Sequence, residues 1–113
     1  MEEEKFIRAV AEQLGVDHER AWTIISAVFH ELHNRLTPKE AADAGAQMPQ
    51  RLKSLWASFE FPGREVERIH KAEFVRKVSE LAEVSEVDAA HAMRVVFSTL
   101  QALPDRKARR GIF

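Results

Sequence analysis

The sequence predicts an all-α fold: a compact helical bundle of two pseudo-repeated hairpins joined by two short helices, about six helices in all. Three observations carry this. The stretch FIRAVAEQLGVDHERAWTIISAVFHEL, beginning at Phe6, returns 68 residues later as FVRKVSELAEVSEVDAAHAMRVVFSTL, beginning at Phe74. In both copies the apolar residues recur at the i, i+3, i+4 spacing of an amphipathic helix. No segment alternates apolar and polar residues in the way a half-buried strand requires. Two copies make a pseudo-symmetric domain rather than a solenoid. The predicted organisation is one domain over residues 1–113, with repeats at 5–36 and 73–104, connecting helices in 38–59, a loop at 60–70 and a basic tail at 105–113.

The first repeat opens with Phe6, Ile7, Val10 and Leu14 on one helical stripe. Gly15 follows where a left-handed residue ends a helix, a conformation glycine takes without a Cβ clash. Asp17 is the expected N-cap of the next helix, its carboxylate accepting from orphaned amides. That helix places Trp22, Ile24, Ile25, Val28, Phe29, Leu32 and Leu36 on an arc of roughly 160° at about 100° per residue. So broad an arc predicts contact with two or more neighbours. Opposite it lie Thr23, Ser26, His30 and Asn34, and the histidines of this helix are expected in solvent.

In the connector, Thr37, Pro38 and Glu40 read as a helix start, with an N-cap hydroxyl, proline at the first position and an acid at the third. Gly45 is expected to weaken that helix by about 1 kcal/mol relative to alanine. Pro49 begins a further helix whose apolar side is Leu52, Leu55, Trp56 and Phe59, and Pro62-Gly63 marks a turn. In the second repeat Ser85 takes the capping role, with Asp88 three residues on. Met93, Val96, Phe97 and Leu100 then face inward, and His91, Arg94, Ser98 and Gln101 outward.

Composition narrows the function classes. The chain of 113 residues is 45% hydrophobic and 31% charged, too apolar for disorder, and its net charge of −1 sets up no global attraction to nucleic acid or acidic membranes. With no cysteine there is neither disulfide nor thiolate site, which fits a reducing cytoplasm. The start MEEEK is acidic where a secretory signal is basic, and the longest apolar stretch, Ala21 to Phe29, is too short to span a bilayer. A cytoplasmic protein without membrane association is the expectation.

The residues Arg35-Leu36-Thr37-Pro38, Glu40-Ala41 and Gln47-Met48-Pro49, with the returning Phe74 and Val78, form a pattern over nearly the whole chain. In this the sequence resembles the bacterial family known as domain of unknown function 2267. The resemblance implies a small helical protein and carries no activity, cofactor or catalytic residue. Ala44 and Gly45 depart from it, standing where the family usually has a larger apolar residue beside an alanine, so a thinner contact from that helix is expected. The second repeat also lacks a counterpart of the Pro38 to Phe59 segment, which leaves part of its apolar arc without a cover from its own copy.

No catalytic centre is nominated. HELH places His30 and His33 three apart, and ERIH (Glu67 to His70) and DAAH (Asp88 to His91) approach the spacing of carboxylate-bridged di-iron bundles, but His30 and His91 fall opposite the apolar arcs. HELH is also one residue short of the zinc-protease motif. Glycine-rich phosphate loops and Gly-x-Ser-x-Gly elbows are absent. Arg106, Lys107, Arg109 and Arg110, with Arg51, Lys53 and Arg64 further off, form the candidate nucleic-acid group; a tail that complements a helix terminus is the plainer reading. Trp56, Phe59 and Phe61 are candidate docking aromatics, with core filling between the repeats as the plainer alternative. Val95 falls outside the main arc, at about 240°, and is expected on the surface, where it favours self-association. The expectation is therefore a non-enzymatic protein-interaction or self-association module, with a protein partner or homodimer and no cofactor or metal. A small-molecule or metal site in the seam between the hairpins is the first alternative, and weak nucleic-acid binding through the tail the second.

Overall fold

The computed structural model describes residues 2–68 and 70–102. Six helices follow in order: α1 Glu2–Leu14, α2 His18–Asn34, α3 Pro38–Gly45, α4 Gln50–Ala57, α5 Lys71–Ala82 and α6 Glu86–Ala102. No strand occurs among the described residues, and the fold is the all-α bundle that the periodicity predicts. The basic tail, with Arg106, Lys107, Arg109 and Arg110, lies outside the described residues.

Local chemistry sets the helix ends. Gly15 sits at φ 68°, and the Val16 and Gly15 amides close back on the Ala11 and Glu12 carbonyls at 3.0 and 3.3 Å. These are the paired bonds of a left-handed helix terminus. Asp17 Oδ1 accepts from the Arg20 amide at 2.8 Å, and Ser85 Oγ from the Asp88 amide at 3.0 Å. Thr37 and Glu40 form the reciprocal capping box, each side chain bonded to the other's backbone N–H, with Pro38 inside the first turn. The hydrogen bond from Thr37 holds the Glu40 carboxyl below its usual range.

The hairpins interlock rather than stand side by side. Helix α1 packs on α2 and α6, α5 packs on α6 and α2, and α2 and α6 touch each other. Each first helix thus covers the second helix of the other copy. The identical residues of the repeat occupy this interface: Phe6, Val10, Ala21 and Val28, with their counterparts Phe74, Val78, Ala89 and Val96, are all buried. Burying side chains of this size contributes about 1.5–3 kcal/mol each relative to leaving them exposed. Val95 belongs to the same interface. It is 4% exposed, against the surface position that the helical wheel gives it, because α6 meets α1, α2 and α5 and so buries a wider sector than one stripe.

Helix α2 has a fourth neighbour in α4, and α3 packs on α4 in turn. Trp56 joins these layers. Its ring lies edge-on to Phe29 at 5.5 Å, and its Nε1–H donates to the Ala41 carbonyl at 2.6 Å. Gly45 is buried against it: a Cβ there would stand 2.6 Å from Trp56 Cδ1. The glycine that costs helix propensity therefore leaves the room in which the indole seats. Trp56 is core filling, but between α2, α3 and α4 rather than between the two repeats.

Candidate functional site

Polar side chains concentrate at the carboxyl end of α2. The turn at Phe61–Arg64 has proline second, Gly63 at φ 82° third and a bond from the Arg64 amide to the Phe61 carbonyl at 3.2 Å, the geometry of a type II turn. It returns the Arg64 side chain onto α2. The guanidinium donates to the carbonyls of His33 (3.2 Å), Asn34 (3.5 Å) and Leu36 (2.9 Å), and through Nε and Nη2 to Glu60 Oε1 at 3.1 and 2.9 Å. A cation there meets the negative end of the helix dipole and satisfies carbonyls that have no partner within the helix. With its side chain 2% exposed, Arg64 is a helix cap, not a cation open to phosphates. The same bond holds the Glu60 carboxyl below its usual range.

Beneath this cap lies His33, 1% exposed, against the expectation that the histidines of α2 face water. The wheel places it at the border of the polar side, beside Trp22, and α4 and the loop after it roof that border over. Its ring is edge-on to Trp56 at 4.9 Å, Nε2 is 3.6 Å from Glu60 Oε1, and Nδ1 is buried without a partner. Burial first, then the charge of Arg64, pushes its pKa below the usual value, so the ring is neutral at neutral pH. His30 lies edge-on to Phe59 at 5.0 Å with Nδ1 3.0 Å from Glu31 Oε2, and His91 is exposed as expected.

Glu31 is 4% exposed. Burial raises its pKa above the usual carboxylate range, and the negative charge of Glu67 adds to the rise. Glu67 is held by Lys77 at 2.8 Å and by its own amide, which donates to the Asn34 carbonyl at 2.8 Å. Oε1 of Glu31 and Oε1 of Glu67 are each buried without a partner among the described residues. No group of three or more histidine, aspartate or glutamate side chains among the described residues is placed to hold a metal ion.

Among the described residues, concavities open to a ligand or partner include the following. A trough of about 300 Å³ runs between α3 and α4, lined by Ala41, Ala42, Gly45, Ala46, Ala57 and Pro38, with His33, Trp56, Lys53 and Glu60 completing it. Ala44 does not line the trough, and beside Gly45 the space is taken by the Trp56 ring. A second concavity, of about 330 Å³, lies on α2 along Trp22, Ser26 and His30, walled by Phe59 and by Leu81 of α5. A third, of about 130 Å³, is the seam between the hairpins, where the repeat pairs Val16 and Val84, Arg20 and Asp88, and Ile24 and Ala92 meet.

The sequence candidates for docking separate in space. Val95 is buried and offers no contact surface, and Trp56 is buried with only an edge on the α3–α4 trough. Phe59 is half-buried at the α2 concavity, and Phe61 is 57% exposed in the turn that carries Arg64. The residue that sequence reasoning missed is Leu81, 48% exposed on α5, whose counterpart in the first repeat is Gln13. An apolar residue where the other copy is polar was the available signal. No helix among the described residues is long and apolar enough to cross a membrane.

Comparison with known proteins returns no match among curated proteins. The sequence profile of one family, described as "Uncharacterized conserved protein (DUF2267)", matches residues 3–111. The repeated hairpins, the Thr37-Pro38 helix start and the Pro49 helix all fall inside that match, and the chain belongs to the DUF2267 family.

Proposed function

We propose that the protein is a non-enzymatic binding module that receives an amphipathic helix of a partner protein in the concavity on α2. The observation that carries this is the shape and chemistry of that surface. Trp22, Ser26 and His30 follow one another at i, i+4, i+8 along α2, giving a floor about 12 Å long at 1.5 Å per residue. Phe59 stands on one side and Leu81 on the other. The hydroxyls along the floor are already engaged: that of Thr23 donates to the Glu19 carbonyl and that of Ser26 to the Trp22 carbonyl, at 3.2 and 2.8 Å. A straight trough with aromatic and aliphatic walls and satisfied hydroxyls suits the apolar stripe of a helix.

The hydroxyl groups elsewhere support a module without chemistry of its own. Those of Ser58, Ser79, Ser98 and Thr99 also donate to carbonyls of their own segment, so none of them is paired with a base as a nucleophile. The seam reading is weaker on size, since about 130 Å³ falls below the ~300–1,000 Å³ usual for ligand pockets.

A photo-crosslinking residue at position 81, compared with one at the exposed position 87, tests the proposal in cells. Expected is a partner segment captured at 81 and not at 87, which binds as a synthetic helical peptide to the wild type and fails to bind Leu81→Asp. Equal capture at both positions, or a peptide that binds Leu81→Asp unchanged, overturns it. Capture of a second copy of this chain at 81 replaces the partner helix by self-association.

A further inference from the structure

The trough between α3 and α4 lies apart from the α2 concavity and has a different character. Its walls are almost wholly apolar and built from small residues: Ala41, Ala42, Gly45 and Ala46 on α3, and Ala57 on α4. Its volume of about 300 Å³ is twice the ~150 Å³ of an engineered apolar cavity that takes up benzene. Four lining residues come from one face of α4 and the turn beyond it, Lys53, Trp56, Ala57 and Glu60. Lys53 lies within α4 and Glu60 three residues past its end at Ala57, which sets the two charged groups toward different ends of the trough.

Those ends are electrically unequal. Glu60 is neutralised by Arg64, which donates two bonds to its Oε1. His33, at that same end, carries no charge at neutral pH. Lys53 has no carboxylate within ion-pairing distance among the described residues. One uncompensated cation thus stands at the mouth of an apolar trough. At the far end the buried His33 ring forms part of the lining, and its Nδ1 lacks the hydrogen-bond partner that a buried polar atom normally has.

We propose that this trough is a binding site for a small carboxylate with a linear apolar body, a medium-chain fatty acid in chemical class. The carboxylate pairs with Lys53, and the chain lies along the alanines over the edge of Trp56. The length of the trough and the absence of polar lining along it select a chain over a polar metabolite. The single cation matches the one charge of a carboxylate, whereas a phosphate ester dianion would keep a second charge unpaired beside apolar walls.

Octanoate is the probe, with octanol as its uncharged counterpart, and the indole N–H resonances of the two tryptophans are the readout. Trp56 lies in the trough with its N–H on the Ala41 carbonyl, whereas Trp22 lies on the α2 concavity and serves as an internal control. Expected is a saturable shift of the Trp56 signal with octanoate while Trp22 stays still. Lys53→Met should weaken octanoate roughly fivefold, the value of about one exposed ion pair, and leave octanol unchanged. Ala46→Trp, which fills the trough from an exposed position, should abolish both while thermal unfolding shows the protein still folded. A Trp56 signal indifferent to millimolar octanoate, binding that survives Ala46→Trp, or an equal effect of Lys53→Met on acid and alcohol each overturns the proposal. None of these results depends on the partner-helix reading.

Discussion

The two hairpins share a skeleton and differ in what is built on it. Four identical pairs, Phe6 and Phe74, Val10 and Val78, Ala21 and Ala89, and Val28 and Val96, are buried on both sides, so the duplication keeps the interlocking contact. The differences gather at the end of the second helix in each copy. In α2 the residues are His30, Glu31 and His33; in α6 the equivalent positions are Ser98, Thr99 and Gln101. The hydroxyls of Ser98 and Thr99 turn back onto the Val95 carbonyl and need nothing from outside the helix. His33 is instead roofed by α4 and the Phe59–Arg64 loop, and Glu31 is buried beside His30 with the Glu67 and Lys77 charges near it. One hairpin is self-sufficient; the other carries buried ionisable groups under a cover that its counterpart lacks. Both larger apolar concavities lie on the covered hairpin.

Removing the pin of that cover gives the largest expected effect. Arg64→Met removes a charged donor from three carbonyls at the end of α2, of which Asn34 and His33 keep a backbone amide, and leaves Glu60 without its cation. A loss of about 2–4 kcal/mol is expected in urea unfolding, since hydrogen bonds to charged groups contribute more than neutral ones. Arg64→Lys should recover little of it, because an ammonium cannot fork across carbonyls and carboxylate together. Unfolding of Arg64→Met at wild-type urea concentration would show that the two hairpins do not differ in this way.

Gly45→Ala comes next, and it sets helix propensity against packing. Propensity alone favours the alanine by about 1 kcal/mol. The new Cβ would lie 2.6 Å from a ring that is itself hydrogen-bonded and buried, and overpacking of this kind costs about 1–3 kcal/mol. Net destabilisation is expected, with a displaced Trp56 indole resonance; net stabilisation would mean that α3 yields freely.

Gly15 and Glu83 offer a comparison at equivalent positions. Both end the first helix of their hairpin in the left-handed region, at φ 68° and 57°. Glu83 bears the steric cost of a Cβ there, and its carbonyl accepts from the Arg20 guanidinium at 3.1 Å. Glu83→Gly should stabilise by about 1 kcal/mol and Gly15→Ala destabilise by about as much. Shifts of the same sign would show that the two termini are not equivalent.

These cases show which parts of the molecule were readable in the sequence. Caps that act within four residues, Asp17, Thr37 with Glu40, and Ser85, were legible because donor and acceptor are neighbours along the chain. The broad arc of α2 correctly announced several helical neighbours. Arg64 was not legible, since it bonds to carbonyls about thirty residues away and nothing around it marks a cap. His33 and Val95 were misplaced for a related reason: a helical wheel records one helix's own pattern, whereas burial depends on how many elements surround it. Of the candidate surfaces, Phe59 was readable as an aromatic near a loop. The trough was not legible, because an empty space has no residue of its own.

The smallest expected effect is on the pH dependence of stability, and it separates the hairpins most sharply. His33 has a folded pKa below its unfolded one, so its contribution is present above the usual value near 6.5 and is lost as pH falls. Glu31 has a folded pKa above its unfolded one, so burying it becomes unfavourable as pH rises past 4.5. Between these values the two slopes oppose each other, and the wild type should show a shallow profile. His33→Gln, which gives α2 the side chain that α6 carries at Gln101, leaves the Glu31 slope alone, and stability should rise as pH falls toward 4.5. Glu31→Thr, matching Thr99, leaves the His33 slope, and stability should fall over the same interval. Urea midpoints measured across that range decide it: slopes of equal sign in the two variants would mean that these groups are not buried in the ionisation states their surroundings impose. The equivalent exchange in the other hairpin, Thr99→Ser, introduces no titrating group and should leave the profile parallel to that of the wild type.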